Sequence, residues 1–194
     1  MKVFLATGNK KKIDEIKPLL KNYEVLSIAD GIEIPEVIED RETFEENSQK
    51  KALEIAKFLN MVTVADDSGL MVDALDGEPG VYSARYAGEN ATDELNNEKL
   101  IESLKGIGNR KAKFVSVISL AKPNGEVYSF RGEVDGIIID EPRGKNGFGY
   151  DPYFYYVAYG RTFAELDLSE KNGISHRARA LSKMKNQINE ILDK

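Results

Sequence analysis

Short apolar runs and helical stripes alternate along the start of the chain. Residues 2–7 and 23–28 are apolar runs of strand length, and they predict two strands. Residues 10–21, between them, carry apolar side chains at helical spacing. Pro18 is expected to loosen the end of that helix, because proline removes a backbone donor. The pattern indicates a strand–helix–strand unit.

A second helix and a third strand follow. Thr43 and Glu46 have the spacing of a capping box, which predicts a helix that ends near Leu59. The run MVTVA at 61–65 predicts a short buried strand. Asp66-Asp67-Ser68-Gly69 come directly after it, and we expect them to lie at the end of the strand.

The second half of the chain is dominated by two long β patterns. Thr92 begins a further helix, and then apolar runs at 111–121 and 126–139 flank a hairpin signal at 123–125. The last helix is expected to begin at Ser175. Strands that alternate with helices, followed by a hairpin, are typical of an α/β fold with a mixed, twisted sheet and flanking helices. We expect residues 1–194 to form a single domain.

The composition narrows the class of protein. Hydrophobic residues make up 41% and charged residues 31% of the chain, as in soluble globular proteins. No apolar run approaches the roughly 20 residues that cross a bilayer. Met1 and Lys2 lead directly into the first strand, so we expect no signal peptide. Because there is no cysteine, disulfides and thiolate metal sites are excluded, and we expect a cytoplasmic protein.

The charge distribution limits the partners. A net charge of −6 argues against nucleic acid as a partner, since such binding needs a basic surface. A small polyanion in a local basic pocket remains compatible, because lysines and arginines cluster at 10–12, 143–145 and 171–179. His176 is the single histidine, so a metal site would have oxygen ligands and would suit Mg²⁺ or Mn²⁺.

Polar sequences interrupt apolar segments at three places: 7–9, 66–69 and 148–151. Each is expected at or near the end of a strand, where ligands collect in open α/β sheets. The first leads into three lysines at 10–12, which oppose the helix dipole but suit a bound anion. A solvated turn between strand and helix is the alternative.

The aspartate pair has two interpretations. Asp66 and Asp67 can belong to a turn, with one carboxylate capping and the other solvated. Two adjacent carboxylates repel one another unless a cation intervenes, so a Mg²⁺ site is the sharper hypothesis. The chain has no P-loop motif, no G-x-G-x-x-G motif and no G-x-S-x-G nucleophile elbow. Taken alone, His176 is more typical of a surface residue at a helix start.

Six segments together resemble, in order and spacing, the inosine triphosphate pyrophosphatase family. These Ham1-like enzymes hydrolyse non-standard purine nucleoside triphosphates. The resemblance runs from the first strand to the last helix. The segments are TGNKKK at 7–12, ADDSGL at 65–70, GEPGVYSARYAG at 77–88, GFGYDP at 147–152, TFAEL at 162–166 and SEKNGISHR at 169–177.

The resemblance implies an elongated, two-lobed α/β fold with a central substrate groove, in a homodimer. It also implies Mg²⁺ as cofactor, with Mn²⁺ as a substitute. The implied reaction converts ITP, dITP or XTP to the monophosphate and pyrophosphate, which removes deaminated purines from the nucleotide pool. The chain departs from the family at 154–162, FYYVAYGRT, where relatives often carry a proline.

The resemblance also assigns roles to residues. Asp67 would hold Mg²⁺ and act as the general base, with Glu39 as the second metal ligand. Asp40 or Glu36 could substitute for Glu39. The substrate would be bound by Thr7, Gly8, Asn9, Lys10, Lys11, Lys12, Ser68, Phe148, Gly149, Tyr150, Asp151, Lys171, His176 and Arg177.

The physical chemistry supports these roles. Phe148 can stack on a purine, which is worth about 1–3 kcal/mol by analogy with base–aromatic stacking. Donors from His176 and Arg177 suit a 6-oxo purine and oppose the amino group of adenine, whose mismatch would cost about 1–3 kcal/mol. The alternatives are a pyrophosphatase for modified pyrimidine triphosphates, similar to the septum-inhibitor family, a silent nucleotide-binding regulator, and a nucleic-acid binder.

Overall fold

The computed structural model describes residues 1–192 and, for Lys11, Glu15 and Leu19, the backbone alone. Within that range seven strands form one sheet. In chain order they are β1 (Lys2–Leu5), β2 (Glu24–Ser27), β3 (Thr63–Val72), β4 (Lys111–Ala121), β5 (Val127–Ile138), β6 (Phe154–Tyr156) and β7 (Arg161–Thr162). Their order across the sheet is β2-β1-β3-β4-β5-β6-β7.

The sheet is mixed, as the sequence predicted. Strand β1 pairs in parallel with β2 and with β3, whereas β6 pairs antiparallel with β5 and with β7. The predicted hairpin between β4 and β5 is confirmed, with Lys122 N donating to Glu126 O at 2.8 Å.

Five α-helices are present in the described part of the chain. They are α1 (Lys10–Ile16), α2 (Phe44–Leu59), α3 (Asp93–Ser103), α4 (Leu168–Ile174) and α5 (His176–Leu192). The expected N-caps are confirmed, since the side chain of Thr43 accepts from Glu46 N and that of Thr92 accepts from Leu95 N. Pro18 lies in a 3-10 helix that follows α1, as expected from its missing N–H.

The chain divides into two units by its internal contacts. The first contains Met1–Asp67, Ser116–Gly132 and the chain from Arg177 onward. Alternate residues of its strands face two apolar clusters. Val3, Leu5 and Val64 pack with residues of α1 and α5, and Phe4, Ala6 and Ala65 pack with residues of α2.

The second unit contains Ser68–Val115 and Glu133–His176. Its core is rich in aromatic side chains. The ring centroid of Phe154 lies 4.5 Å from that of Phe114 and 4.9 Å from that of Phe163, which are favourable distances for aromatic pairs.

Strand β3 differs from the prediction. We expected a short strand at 61–65 that ends before the aspartates, but β3 runs through Asp66 and Asp67 to Val72. Both carboxyl groups are buried in the strand rather than placed in a turn. The strand tolerates them because cations and an amide on other elements of the first unit contact them, a pairing that local sequence does not reveal.

Helix α4 was not predicted. Asp167 and Glu170 form a capping box at its start, and this pattern was available in the sequence. No helix within residues 1–192 is both long enough and apolar enough to cross a membrane.

Candidate active site

The turn between β1 and α1 is built by its own polar side chains. Thr7 Oγ1 accepts a hydrogen bond from Asn9 N at 3.2 Å, and Asn9 Oδ1 accepts one from Lys12 N at 3.3 Å. Asn9 therefore satisfies one of the open N–H groups of the first helical turn. Thr7 is buried, whereas Gly8, Asn9 and Lys10 are exposed; the side chain of Lys11 lies outside the described part of the structure.

Asp66 lies at the centre of a buried ion network. Its Oδ2 is 2.9 Å from Lys12 Nζ and 3.4 Å from Arg177 Nη2, and the side chains of Asp66 and Arg177 are each only 1% exposed. Burial alone would raise the pKa of Asp66, but Lys12 and Arg177 hold it well below its usual value. Asp66 is therefore ionised, and it fixes two cations that sequence reasoning assigned to the substrate.

Asp67 has different surroundings. Successive residues of a strand point to opposite faces, and Asp67 Oδ2 accepts a hydrogen bond from Asn47 Nδ2 of α2 at 3.1 Å. Burial and then the negative charge of Glu39 raise the pKa of Asp67 to about 6. A carboxyl with such a pKa can give up and take up a proton near neutral pH, which is what a general base requires.

Asn47 connects Asp67 to the acidic loop. Its side chain is buried, its Oδ1 accepts from Arg41 N at 2.9 Å, and its Nδ2 donates to Arg41 O at 3.3 Å as well as to Asp67. One amide thus fixes the end of the loop that carries Glu39. Sequence reasoning missed this residue.

Lys51 is a second residue that was missed. Its Nζ lies 2.6 Å from Glu39 Oε1. Burial lowers the pKa of Lys51, but Glu39, Asp66 and Asp67 outweigh that effect and the net pKa is raised. Asn47 and Lys51 are four residues apart on α2 and so share one face, which is the signal that could have found both.

The structure separates the three candidates for a second metal ligand. Glu39 is close enough to Asp67 to raise its pKa. Asp40 is half-exposed and pairs with Lys50 Nζ at 2.8 Å, and Glu36 is exposed. Within residues 1–192, no group of three or more His, Cys, Asp and Glu side chains could hold a metal ion.

In the second unit, the side chain of Asp151 holds the Phe148–Asp151 turn together. Asp151 Oδ2 accepts from Phe148 N at 2.9 Å and lies 2.6 Å from Lys171 Nζ. Gly147 precedes the turn at a φ of +74°, and a Cβ there would meet Asp151 Oδ2 at 2.1 Å, so only glycine fits. The ammonium of Lys171 lies 4.9 Å from the centre of the Phe148 ring.

These contacts show what Asp151 and Lys171 do in the folded chain. Both side chains are almost fully buried, and they form an ion pair with each other. The pair holds the turn, and the cation faces the Phe148 ring in a cation–π contact. The hydroxyl of Tyr150 donates to Ser83 O at 2.7 Å, so it too anchors the turn.

The remaining predicted residues occupy other positions. Ser68 is half-buried in β3. His176 begins α5, and its ring stacks on Phe114 with centroids 4.8 Å apart. The interpretation of His176 as a surface residue is wrong, since the side chain is buried in an aromatic contact.

The comparisons with known proteins agree over nearly the whole chain. Residues 3–187 match the model of the Ham1 family. The chain belongs to the Ham1 family. This confirms the resemblance drawn from the six segments.

Individual relatives are similar over nearly the whole of this chain. It is 50% identical over 192 residues to a dITP/XTP pyrophosphatase of Desulfotalea psychrophila, covering 98% of this chain and 86% of that one. It is 50% identical over 191 residues to a dITP/XTP pyrophosphatase of Geobacter sulfurreducens, covering 96% of each. The solved structure of the Ham1 protein of Staphylococcus aureus superposes with a TM-score of 0.91 at 44% identity, covering 98% of this chain and 99% of that one. The α/β fold with a mixed sheet is thereby confirmed.

Proposed function

We propose that the protein is a nucleoside-triphosphate pyrophosphatase that converts dITP, ITP and XTP to the monophosphate and pyrophosphate. The observation that carries the proposal is Asp67, a buried carboxyl with a pKa raised to about 6, in a cluster with Lys12 and Lys51. Relatives that are 50% identical over nearly the whole of this chain are named dITP/XTP pyrophosphatases, which supports the same substrates here.

Asp67 acts as the general base in this proposal. A raised pKa suits a carboxylate that takes a proton from water as it attacks the α-phosphorus. Asn47 holds one carboxylate oxygen of Asp67, which fixes the direction of the other. The attack releases pyrophosphate, and the oxygen from water remains on the monophosphate.

Glu39 and Asp67 would hold a divalent cation, Mg²⁺ with Mn²⁺ as a substitute. They fit the ion because each is a hard oxygen ligand and because the charge of Glu39 raises the pKa of Asp67 by repulsion that a cation would relieve. Mg²⁺ commonly takes only one or two carboxylates and completes its shell with waters and substrate phosphates, so a pair is sufficient. When bound, the ion offsets the negative charge that develops on the phosphates.

The phosphates would be bound by the β1–α1 turn and by lysines. Thr7, Gly8, Asn9, Lys10 and Lys11 supply backbone and side-chain donors, and Lys12 supplies a cation whose position is fixed by Asp66. Lys51, which the sequence did not indicate, would add a second fixed cation. Cations held in place before the substrate arrives stabilise the transferring group without reorganisation.

The nucleoside would be bound by Ser68, by the turn Phe148–Asp151 and by His176 and Arg177. Phe148 would stack on the purine, and Lys171 would steady the turn through Asp151. Hydrogen-bond donors on His176 and Arg177 would pair with the 6-oxo group of a purine and would disfavour adenine. We further propose that the protein acts in the cytoplasm as a homodimer of single-domain chains.

A panel of nucleoside triphosphates tests the function. The protein is incubated with Mg²⁺ and each of ITP, dITP, XTP, ATP, GTP and modified pyrimidine triphosphates, and pyrophosphate and orthophosphate are measured separately. We expect pyrophosphate from the first three and little product from ATP. Orthophosphate as the product, preference for a pyrimidine, or binding without turnover would contradict the proposal.

A further inference from the structure

Both backbone polar groups of Gly149 are held by one helix. Gly149 N donates to Asp93 Oδ2 at 2.7 Å, and Gly149 O accepts from Asn97 Nδ2 at 2.9 Å. Asp93 and Asn97 lie four residues apart at the start of α3, so their side chains share a face of that helix. All three residues belong to the second unit.

We propose that Asp93 and Asn97 are positioning residues that fix the Phe148–Asp151 turn in the form that binds the nucleobase. The inference deepens the function proposed above and rests on it. It adds two residues that touch neither phosphate nor base in that proposal and that act through the backbone of Gly149.

The geometry of the turn explains why contacts from α3 are needed to hold Gly149. Gly149 has a φ of +59°. Glycine has more backbone freedom than any other residue, so this position is the one in the turn that most needs contacts to hold it. Asp151 fixes the amide of Phe148, and Tyr150 is anchored through its hydroxyl. Between these two anchors, the N–H and C=O of Gly149 are held by α3. The N–H belongs to the peptide that joins Phe148 to Gly149, so rotation of that peptide would move the aromatic ring.

The two hydrogen bonds differ in kind. The carboxylate of Asp93 accepts from a backbone N–H, and such charge-assisted bonds are stronger than neutral ones. The amide of Asn97 is almost fully buried, and its Nδ2 also donates to Asp93 O at 2.8 Å. The Oδ1 of Asn97 has no hydrogen-bond partner among residues 1–192. Replacing the amide by an apolar group therefore removes this unsatisfied acceptor, which offsets part of the stability lost with the donor. Asn97→Leu should therefore fold.

Asn96 provides a matched control on the same helix. Its Oδ1 accepts from Ala87 N at 2.8 Å and its Nδ2 donates to Ala84 O at 3.1 Å. Like Asn97, Asn96 is almost fully buried. It therefore has the same side chain and the same kind of hydrogen bonds, but to a different loop. Asn96→Leu should lower the melting temperature without changing nucleotide recognition.

The test measures steady-state kinetics with dITP and ITP and inhibition by inorganic tripolyphosphate, which has phosphates but no base. For Asn97→Leu and for Asp93→Ala we expect KM to rise about 2- to 10-fold, the size of one lost hydrogen bond. We expect kcat to change by less than about twofold and the tripolyphosphate inhibition constant to stay the same. The double variant should raise KM little further than the stronger single variant, because both residues act on the backbone of one residue, Gly149.

Three results would overturn the inference. One is an unchanged KM in both folded variants, and another is an equal loss of affinity for tripolyphosphate. The third is an equal rise of KM in Asn96→Leu, which would make the effect one of general stability. Failure of the proposed function is distinguishable, because in that case the wild-type protein releases no pyrophosphate from dITP or ITP.

Discussion

The side-chain amide of Asn47 donates to Oδ2 of Asp67 at 3.1 Å, and the same amide is bonded to both backbone polar groups of Arg41. Helix α2 thereby sets the distance between the candidate base and the loop of Glu39. An error of about 1 Å in such a distance can cost roughly 100-fold in rate. In the proposed mechanism, the position of the base therefore depends on Asn47, a residue that takes no proton.

Asn47→Leu tests that dependence. We expect kcat to fall by roughly tenfold or more with a smaller change in KM, because Asp67 and Glu39 lose their common support. The variant also removes two hydrogen bonds to the backbone of Arg41, an exposed residue, at a cost of about 0.5–1.5 kcal/mol of stability for each. Kinetics and thermal unfolding are measured together.

Ser48→Ala is the matched control for Asn47→Leu. Ser48 is the next buried residue of α2, and its hydroxyl bonds to Ser119 rather than to Asp67. It should lose stability and keep kcat. Equal losses of kcat in the two variants would assign the effect of Asn47 to folding alone.

Asp67→Asn should abolish nearly all turnover and retain the fold, because it removes charge and basicity at almost constant volume. Its stability should also respond to pH in a defined direction. The pKa of Asp67 in the folded chain, about 6, lies above its ordinary value of 3.8. The folded state therefore holds the proton more tightly, and its stability falls as the pH rises from about 4 to 7. The shift corresponds to roughly 3 kcal/mol.

Denaturant unfolding in the presence of a chelator measures this effect. At pH 7 without divalent cations, Asp67→Asn should be more stable than the wild-type protein, and at pH 4 the two should be similar. Added Mg²⁺ should stabilise the wild-type protein and not the variant, since only the former keeps the ligand. A variant that is less stable at pH 7, or one that retains activity, would remove Asp67 from the proposed role.

The contrast between Asp66 and Asp67 shows how much of the fold and of the candidate site could be predicted from the sequence. The six segments identified the family, and the periodic patterns predicted most helices and strands, including both long strands of the hairpin. Local sequence could not show that β3 continues through two aspartates, because their partners are remote in the chain: Lys12 and Arg177 pair with Asp66, and Asn47 donates to Asp67. The resemblance singled out Asp67, but the local pattern of residues gave no physical reason for that choice; the structure places Asp66 among cations and Asp67 beside Glu39.

Glu39→Gln distinguishes Glu39 from the other acids of its loop. Removing the negative charge of Glu39 should lower the pKa of Asp67, because that charge is the largest cause of the raised pKa after burial. It should also raise the Mg²⁺ concentration for half-maximal activity by roughly tenfold or more, as is typical when groups around a metal are lost. A ¹³C NMR titration of the Asp67 carboxyl and a Mg²⁺ titration of activity measure the two effects.

Asp40→Asn is the control for Glu39→Gln. Asp40 is half-exposed and paired with Lys50, so its loss should change neither quantity by more than about twofold, as for most surface ion pairs. If Asp40→Asn raises the Mg²⁺ requirement and Glu39→Gln does not, then Asp40 is the second ligand.

Arg177 is the residue proposed to select the purine, and its burial decides how it must be tested. Its guanidinium lies 3.4 Å from Oδ2 of Asp66, and both side chains are almost fully buried. Arg177→Ala would leave Asp66 with Lys12 alone, and breaking a buried ion pair commonly costs about 3–5 kcal/mol. Loss of activity in that variant would not separate recognition from folding. Arg177→Lys keeps the positive charge and removes the planar set of donors.

For Arg177→Lys we expect kcat/KM for ITP to fall by about 10- to 100-fold, and the low rate with ATP to change by less than about twofold, so that the ratio between the two substrates is compressed. The reason is that a 6-oxo purine accepts from the guanidinium, whereas the amino group of adenine gains nothing from it. Thermal unfolding at matched pH checks that Asp66 keeps its partner. An unchanged ratio of ITP to ATP cleavage in a folded variant would place base selection elsewhere, with the Phe148–Asp151 turn and its support by Asp93 and Asn97 as the next determinant to vary.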